Sequence, residues 1–187
     1  MGIVSEFMLD RNDAVLVVID VQERLCQAMD EKILGALTRR IAILQEAAQE
    51  MKIPLLATEQ YVKGLGETLA ELKGRLCTPA IEKMTFSCCG EEAFPEKLRN
   101  LGRQQIIVTG METHVCVLQT VLQLLEAGYI VHVVADAVMS RKKENWQIAL
   151  AMAQQAGAVI TSTETALFQL LRVAGSEEFK KISKLVR

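Results

Sequence analysis

The run Ala14-Val15-Leu16-Val17-Val18-Ile19-Asp20 is apolar at every position until its last. Successive side chains of a strand point to opposite faces, so a run without a polar position must be covered on both. It reads as a central parallel strand between two layers of helices, ending where a carboxylate has to find water or a partner. The rest of the chain fits that start. Its 187 residues suit one domain, half of them are apolar, and only 4% are aromatic. A chain of this length buries well over half of its unfolded surface and needs neither disulfide nor metal to hold a core. Ala, Val, Ile and Leu carry the apolar weight, which suits helices on a buried sheet better than a β-sandwich.

Helical and extended periods then alternate. Ile33, Leu37, Ile41, Leu44, Ala48 and Met51 form an amphipathic stripe with Asp30 as its N-cap. Further strands are predicted at 53–58, 80–83, 105–109, 129–135 and 158–161. Helices are predicted near 67–73, after Pro95 as far as Gly102, and at 113–127, 145–155 and 165–171, the last opened by a capping box of Thr161 and Glu164. A polar loop is expected at 59–66, and a helical tail at 177–186. No linker, repeat or low-complexity stretch divides the sequence. The expectation is an α/β chain, a three-layer α/β/α Rossmann-like domain over 8–187 with a six-stranded parallel sheet. Residues 1–7 read as a leader or cloning remnant.

A formal net charge of -2 provides no field for nucleic acid or an anionic membrane. No apolar run reaches the ~18–20 residues that cross a bilayer. Five cysteines in an odd, unspaced set read as free thiols in a reducing compartment, hence a cytoplasmic protein. Cys26 and Cys77 read as packing residues. Cys88 and Cys89 read as two free thiols, because a bridge between neighbours is strained.

Ligands in such folds sit at the carboxyl ends of strands. Asp20 ends the first strand, Lys83 the third, and Cys116 follows the fourth at a predicted helix start, where the dipole lowers a thiol's pKa and binds oxyanions. Taken singly, each has an ordinary reading: a buried ion-pair partner, a surface lysine, a small core residue. Together they supply a base, a positive charge and a nucleophile.

Val18-Ile19-Asp20-Val21-Gln22, Glu82-Lys83 with Phe86-Ser87, and Gly110-Met111-Glu112-Thr113-His114-Val115-Cys116-Val117 resemble the isochorismatase-like cysteine hydrolase superfamily. Thr58-Glu59-Gln60-Tyr61-Val62-Lys63-Gly64-Leu65-Gly66 resembles its isochorismatase-domain-containing branch, and Asp136-Ala137-Val138 with Ser140-Arg141 is a further shared segment. The resemblance implies Cys116 as nucleophile, Asp20 as general base and Lys83 as third catalytic member. It also implies an oxyanion hole from the backbone N–H groups of Glu112 and Cys116, and a cis peptide at Met111–Glu112. Gln22, Tyr61, Phe86, Ser87 and His114 are candidates to touch substrate.

The expected activity is metal-independent hydrolysis of a small amide, imide or carbamoyl-type C–N bond through a thioester. No cofactor is called for, the partners are a small-molecule substrate and further copies in a homo-oligomer, and the alternatives are a catalytically silent binding or scaffolding protein and a nicotinamidase-type amidase. The resemblance weighs against the last, because nicotinamidases carry an Asp-x-His metal motif where this chain has Glu59-Gln60-Tyr61. Isochorismatases proper lack the cysteine. His114 invites a dyad with Cys116, but the resemblance assigns the base to the carboxylate and leaves His114 structural or at the pocket edge. His132 reads as a hydrogen-bonded core histidine. A thiol redox protein built on Cys88 and Cys89 is a further reading.

Overall fold

A computed structural model describes residues 2–186. In chain order the elements are α1 (Ile3–Phe7), β1 (Ala14–Ile19), α2 (Glu23–Cys26), α3 (Glu31–Glu50), β2 (Leu55–Gln60), α4 (Val62–Leu65), α5 (Ala70–Lys73) and β3 (Ile81–Lys83). After them come α6 (Ala93–Leu101), β4 (Gln105–Met111), α7 (Leu118–Glu126), β5 (Ile130–Met139), α8 (Lys143–Gln155), β6 (Val159–Thr161), α9 (Thr163–Leu171) and α10 (Glu177–Ile182). The six strands form one parallel sheet in the order β3-β2-β1-β4-β5-β6. Strand order therefore reverses between β1 and β4, which places the crevice of the fold at their carboxyl ends.

Every residue of β1 is buried. Leu16 and Val18 pack into the layer under α3, α9 and α10, and Val15, Val17 and Ile19 into the layer under α6, α7 and α8. Unbroken apolarity thus translates into two cores divided by one strand. Asp30 caps α3 by accepting from the Lys32 and Ile33 amides, although Ile33 itself, first in the predicted stripe, is exposed. The tail packs on its own chain: Ile182 is buried, and the Phe179 ring lies 6.1 Å from that of Phe168.

Some expectations need correction. Residues 59 and 60 belong to β2, whose final turn of sequence is polar but buried, so the loop is shorter than the pattern implies. β5 runs on to Met139 through an irregularity opposite Val108 and Gly110. Ser162, not Thr161, caps α9, because its hydroxyl accepts from the Thr165 amide.

His132 departs most. It is fully buried on β5, and neither ring nitrogen has a hydrogen-bond partner. Burial pushes its pKa down to about 4, against a smaller upward pull from the Glu6 backbone. The unfolded chain then binds a proton that the folded one refuses between pH 6.5 and about 4. The contribution is complete above pH 6.5 and is lost as pH falls through that window, on the order of 3 kcal/mol in all. His132→Leu should flatten this part of the acid limb in urea titrations at pH 4.5 and 7. An unchanged slope would reassign the acid sensitivity.

Candidate active site

Three strands deliver three side chains to the crevice. Asp20 follows β1 at φ 50°, a left-handed turn that Asp tolerates better than most residues, and it is wholly buried. Lys83 closes β3 and is almost wholly buried. Cys116 lies in a π-helical turn, Thr113–Val117, that joins the end of β4 to α7. The Lys83 ammonium stands 2.7 Å from Asp20 Oδ2, and the Cys116 thiol lies near enough to both charges to feel them. The structure therefore brings the three together.

The ammonium donates to Asp20 Oδ2 and Gln60 Oε1 at 2.7 Å each, to the Phe86 carbonyl at 2.9 Å and to the Thr85 carbonyl at 3.2 Å. An ammonium has three protons, so four acceptors leave none for a ligand. What Lys83 offers the site is charge. Asp20 Oδ1 accepts from the Thr58 hydroxyl at 2.7 Å. Gln60 is fixed in turn, its amide nitrogen donating 2.8 Å to the Met84 carbonyl.

The thiol is not made acidic by the helix start. Burial and the Asp20 charge push the Cys116 pKa up, and the nearby Lys83 charge pulls back by less. At neutral pH the sulfur keeps its proton, with a carboxylate close by to take it. That arrangement suits transfer in step with attack better than a standing thiolate.

The other candidates fall on different sides of the site. Gln22 is consumed by the backbone: it donates to the Gln60 carbonyl (2.9 Å) and the Gly66 carbonyl (2.6 Å) and accepts from the Gln60 amide (2.7 Å). Ser87 bonds Gln123 Oε1 at 2.6 Å and accepts from the Cys89 amide, capping a short turn at Cys88–Gly90. Tyr61 and Phe86 are both about half exposed beside the Lys83 strand. His114 is held at Nδ1 by Ser140 Oγ (2.9 Å) and at Nε2 by Asn145 (3.3 Å), so neither nitrogen turns to Cys116. The Met111–Glu112 peptide is cis, and the Glu112 carboxylate is gripped by Arg141, through its amide at 2.9 Å and its Nε at 3.1 Å.

Thr58 and Gln60 join the cluster through their hydrogen bonds to Asp20 and Lys83, beyond the three residues the strand ends point to. Their signal was available as three polar residues, Thr58-Glu59-Gln60, closing an otherwise apolar strand. Glu59 itself turns away and accepts from the Thr68 amide and hydroxyl. A cavity of about 340 Å³ opens nearby between Leu37, Val138, Met139 and Trp146, but none of Asp20, Lys83 or Cys116 lines it. Among the described residues, no three His, Cys, Asp or Glu side chains stand together as metal ligands. No helix among them is long and apolar enough to cross a membrane.

A family model described as the Isochorismatase domain matches residues 14–165. A secreted isochorismatase effector, Isc1, of Phytophthora sojae is 41% identical over 94% of this chain and 85% of its own length. The solved structure of the MAR1 ribonuclease of Caenorhabditis elegans shares 36% identity at TM-score 0.88, covering 96% of this chain and 92% of that one. YcaC of Pseudomonas aeruginosa, solved with hexane-2,5-diol and covalent acrylamide, shares 26% at TM-score 0.89, covering 95% and 91%.

Proposed function

The chain belongs to the isochorismatase family, with its hydrolase fold, and we propose that it is a metal-independent cysteine hydrolase of small amide, imide or carbamoyl-type C–N bonds. The observation that carries this is the buried set of thiol, carboxylate and ammonium gathered at the carboxyl ends of the strands. A structural ion pair alone has no need of a third, nucleophilic member.

Cys116 Sγ attacks the carbonyl carbon while its proton passes to Asp20. The oxyanion forms against the backbone N–H groups of Glu112 and Cys116, which lie in the first turn of a helical segment, where amides lack helical partners. Asp20 returns the proton to the departing nitrogen, the C–N bond breaks and a thioester remains. Water then gives a proton to Asp20 and its hydroxyl to the acyl carbon, releasing the acid, and the sulfur takes the proton back. Lys83 holds its ammonium against Asp20 throughout as the counter-charge of the site.

Tyr61 and Phe86 stand at the mouth as apolar contacts for substrate. The covalent acrylamide carried by the YcaC relative supports a nucleophile that accepts small amide-bearing electrophiles. Exposed Met84 near the site and Ile148 and Met152 on α8 support a homo-oligomer. Five free thiols support a reducing, cytoplasmic setting.

The test pairs turnover with trapping. Wild type and Cys116→Ala are offered a panel of small amides, imides and ureido acids, with RNA included because one relative is named a ribonuclease. Expected are hydrolysis of at least one amide by wild type and an acyl mass on the Cys116 peptide after acid quench. Neither should occur with the alanine variant. Because the thiol's pKa is raised, alkylation of Cys116 by acrylamide should still be accelerating at pH 9. Undiminished turnover by Cys116→Ala would remove the nucleophile, and cleavage of RNA alone would replace the substrate class.

A further inference from the structure

Cys88 is a second buried thiol in the crevice that hydrolysis does not use. Its sulfur lies 3.6 Å from Thr58 Oγ1, the same hydroxyl that bonds Asp20 Oδ1 at 2.7 Å. Its amide donates to Thr120 Oγ1 at 2.9 Å, and that hydroxyl donates 2.6 Å to the Cys116 carbonyl. One threonine hydroxyl thus separates the backbones of the two cysteines, and one carboxylate touches the surroundings of both sulfurs. Both side chains face the same apolar layer, under α6 and α7. Cys88 is completely covered, whereas Cys116 keeps a little exposure, 6%. An oxidant the size of water reaches Cys116 first.

We propose that Cys88 is a resolving thiol for Cys116, so that peroxide converts the site to an internal Cys88–Cys116 disulfide that thiols reverse. In the first step hydrogen peroxide transfers one oxygen to Cys116: the O–O bond breaks, sulfur is oxidised to the sulfenic acid, and water leaves with the thiol's proton, passed through Asp20. In the second, Cys88 Sγ attacks the sulfenic sulfur, its proton leaves with the hydroxyl as water, and the S–S bond forms. A dithiol reductant returns both thiols. Burial raises the Cys88 pKa to about 12, so its proton must leave as the bond forms, and Asp20 reaches it through Thr58. Cys89 is the competing partner by sequence, but its amide is tied to Ser87 Oγ and it lies only half-buried at the far side of that turn.

The link is independent of hydrolysis; only its effect on turnover rests on Cys116 being the nucleophile. Full-length protein is treated with graded hydrogen peroxide, blocked with N-ethylmaleimide, and read by intact mass and by non-reducing peptide maps. Wild type should lose two hydrogen masses and yield a peptide joining Cys88 to Cys116, cleaved by dithiothreitol. Cys88→Ala should instead carry oxygens on Cys116 and no joined peptide, and the share reaching two or three oxygens should be lost to dithiothreitol. Cys116→Ser should leave Cys88 reduced, a result that stands even if the Cys88 variant fails to fold. A Cys88–Cys89 link, oxygens on wild-type Cys116 at the level seen in Cys88→Ala, or an unmodified chain would each overturn the proposal.

Discussion

Lys83→Met should cost the fold about 3–5 kcal/mol, because it leaves the buried Asp20 carboxylate without its counter-charge. The Met side chain matches the stem of Lys83 but offers nothing to Asp20, Gln60 or the Thr85 and Phe86 carbonyls, which the ammonium gathers into one cluster. Adding Asp20→Asn to Lys83→Met removes the stranded charge, keeps an acceptor for Thr58 and suits the left-handed backbone. The double variant should regain much of the loss. Turnover should not return, since a positioned base typically contributes about 100–10,000-fold and neither variant retains a base paired with a cation. Urea midpoints and rates on the same three proteins separate the two effects. A loss below 1 kcal/mol for the single change would mean that Asp20 finds water or a proton without cost.

Gly110→Ala is expected to be comparably severe for a different reason. A Cβ at this position would lie 2.0 Å from the Ile19 carbonyl oxygen and 2.6 Å from the Ile19 nitrogen, and the residue sits at φ +112°. Both obstacles are backbone, so no rotamer relieves them. Ile19 and Gly110 are register partners in the β1–β4 pair, immediately before Asp20 and Met111. Accommodation therefore means parting the two strands where they present the site. A destabilisation of about 4 kcal/mol or more follows from a clash that packing cannot absorb. Gly128→Ala is the control, with φ +87° and nothing within 4 Å of the new carbon. It should cost about 1–2 kcal/mol, the conformational part alone. Equal losses in the two variants would show that β1 and β4 can separate freely.

Periodicity made the layers legible. An unbroken apolar strand announces cover on two sides, and α3 announces one face through its stripe and its Asp30 cap. The site was legible as three strand-end residues of unlike chemistry, and the resemblance connected them. What escaped the sequence was long-range satisfaction. Nothing local to Gln60 says that its amide will meet an ammonium 23 positions away, and nothing local to His132 says that its ring will find no partner. The acidity of Cys116 is hidden from the sequence for the same reason. A helix start is visible in sequence, but the depth of burial and the distance to a carboxylate are properties of the assembled crevice.

β3 is pinned to the sheet by register pairs at just three positions, Ile81, Glu82 and Lys83, along its outer margin. β1, in the middle, is paired along its whole length with β4 and from Leu16 to Ile19 with β2. The opening free energy of the margin lies below that of the centre, as it does wherever few backbone pairs and little apolar surface tie a segment down. Of the two margins, β3 and β6, each paired at three positions, β3 carries Lys83, so its opening takes the cation out to water while the central strands stay zipped. Such an opening breaks the buried ion pair without exposing the core between β1 and β4.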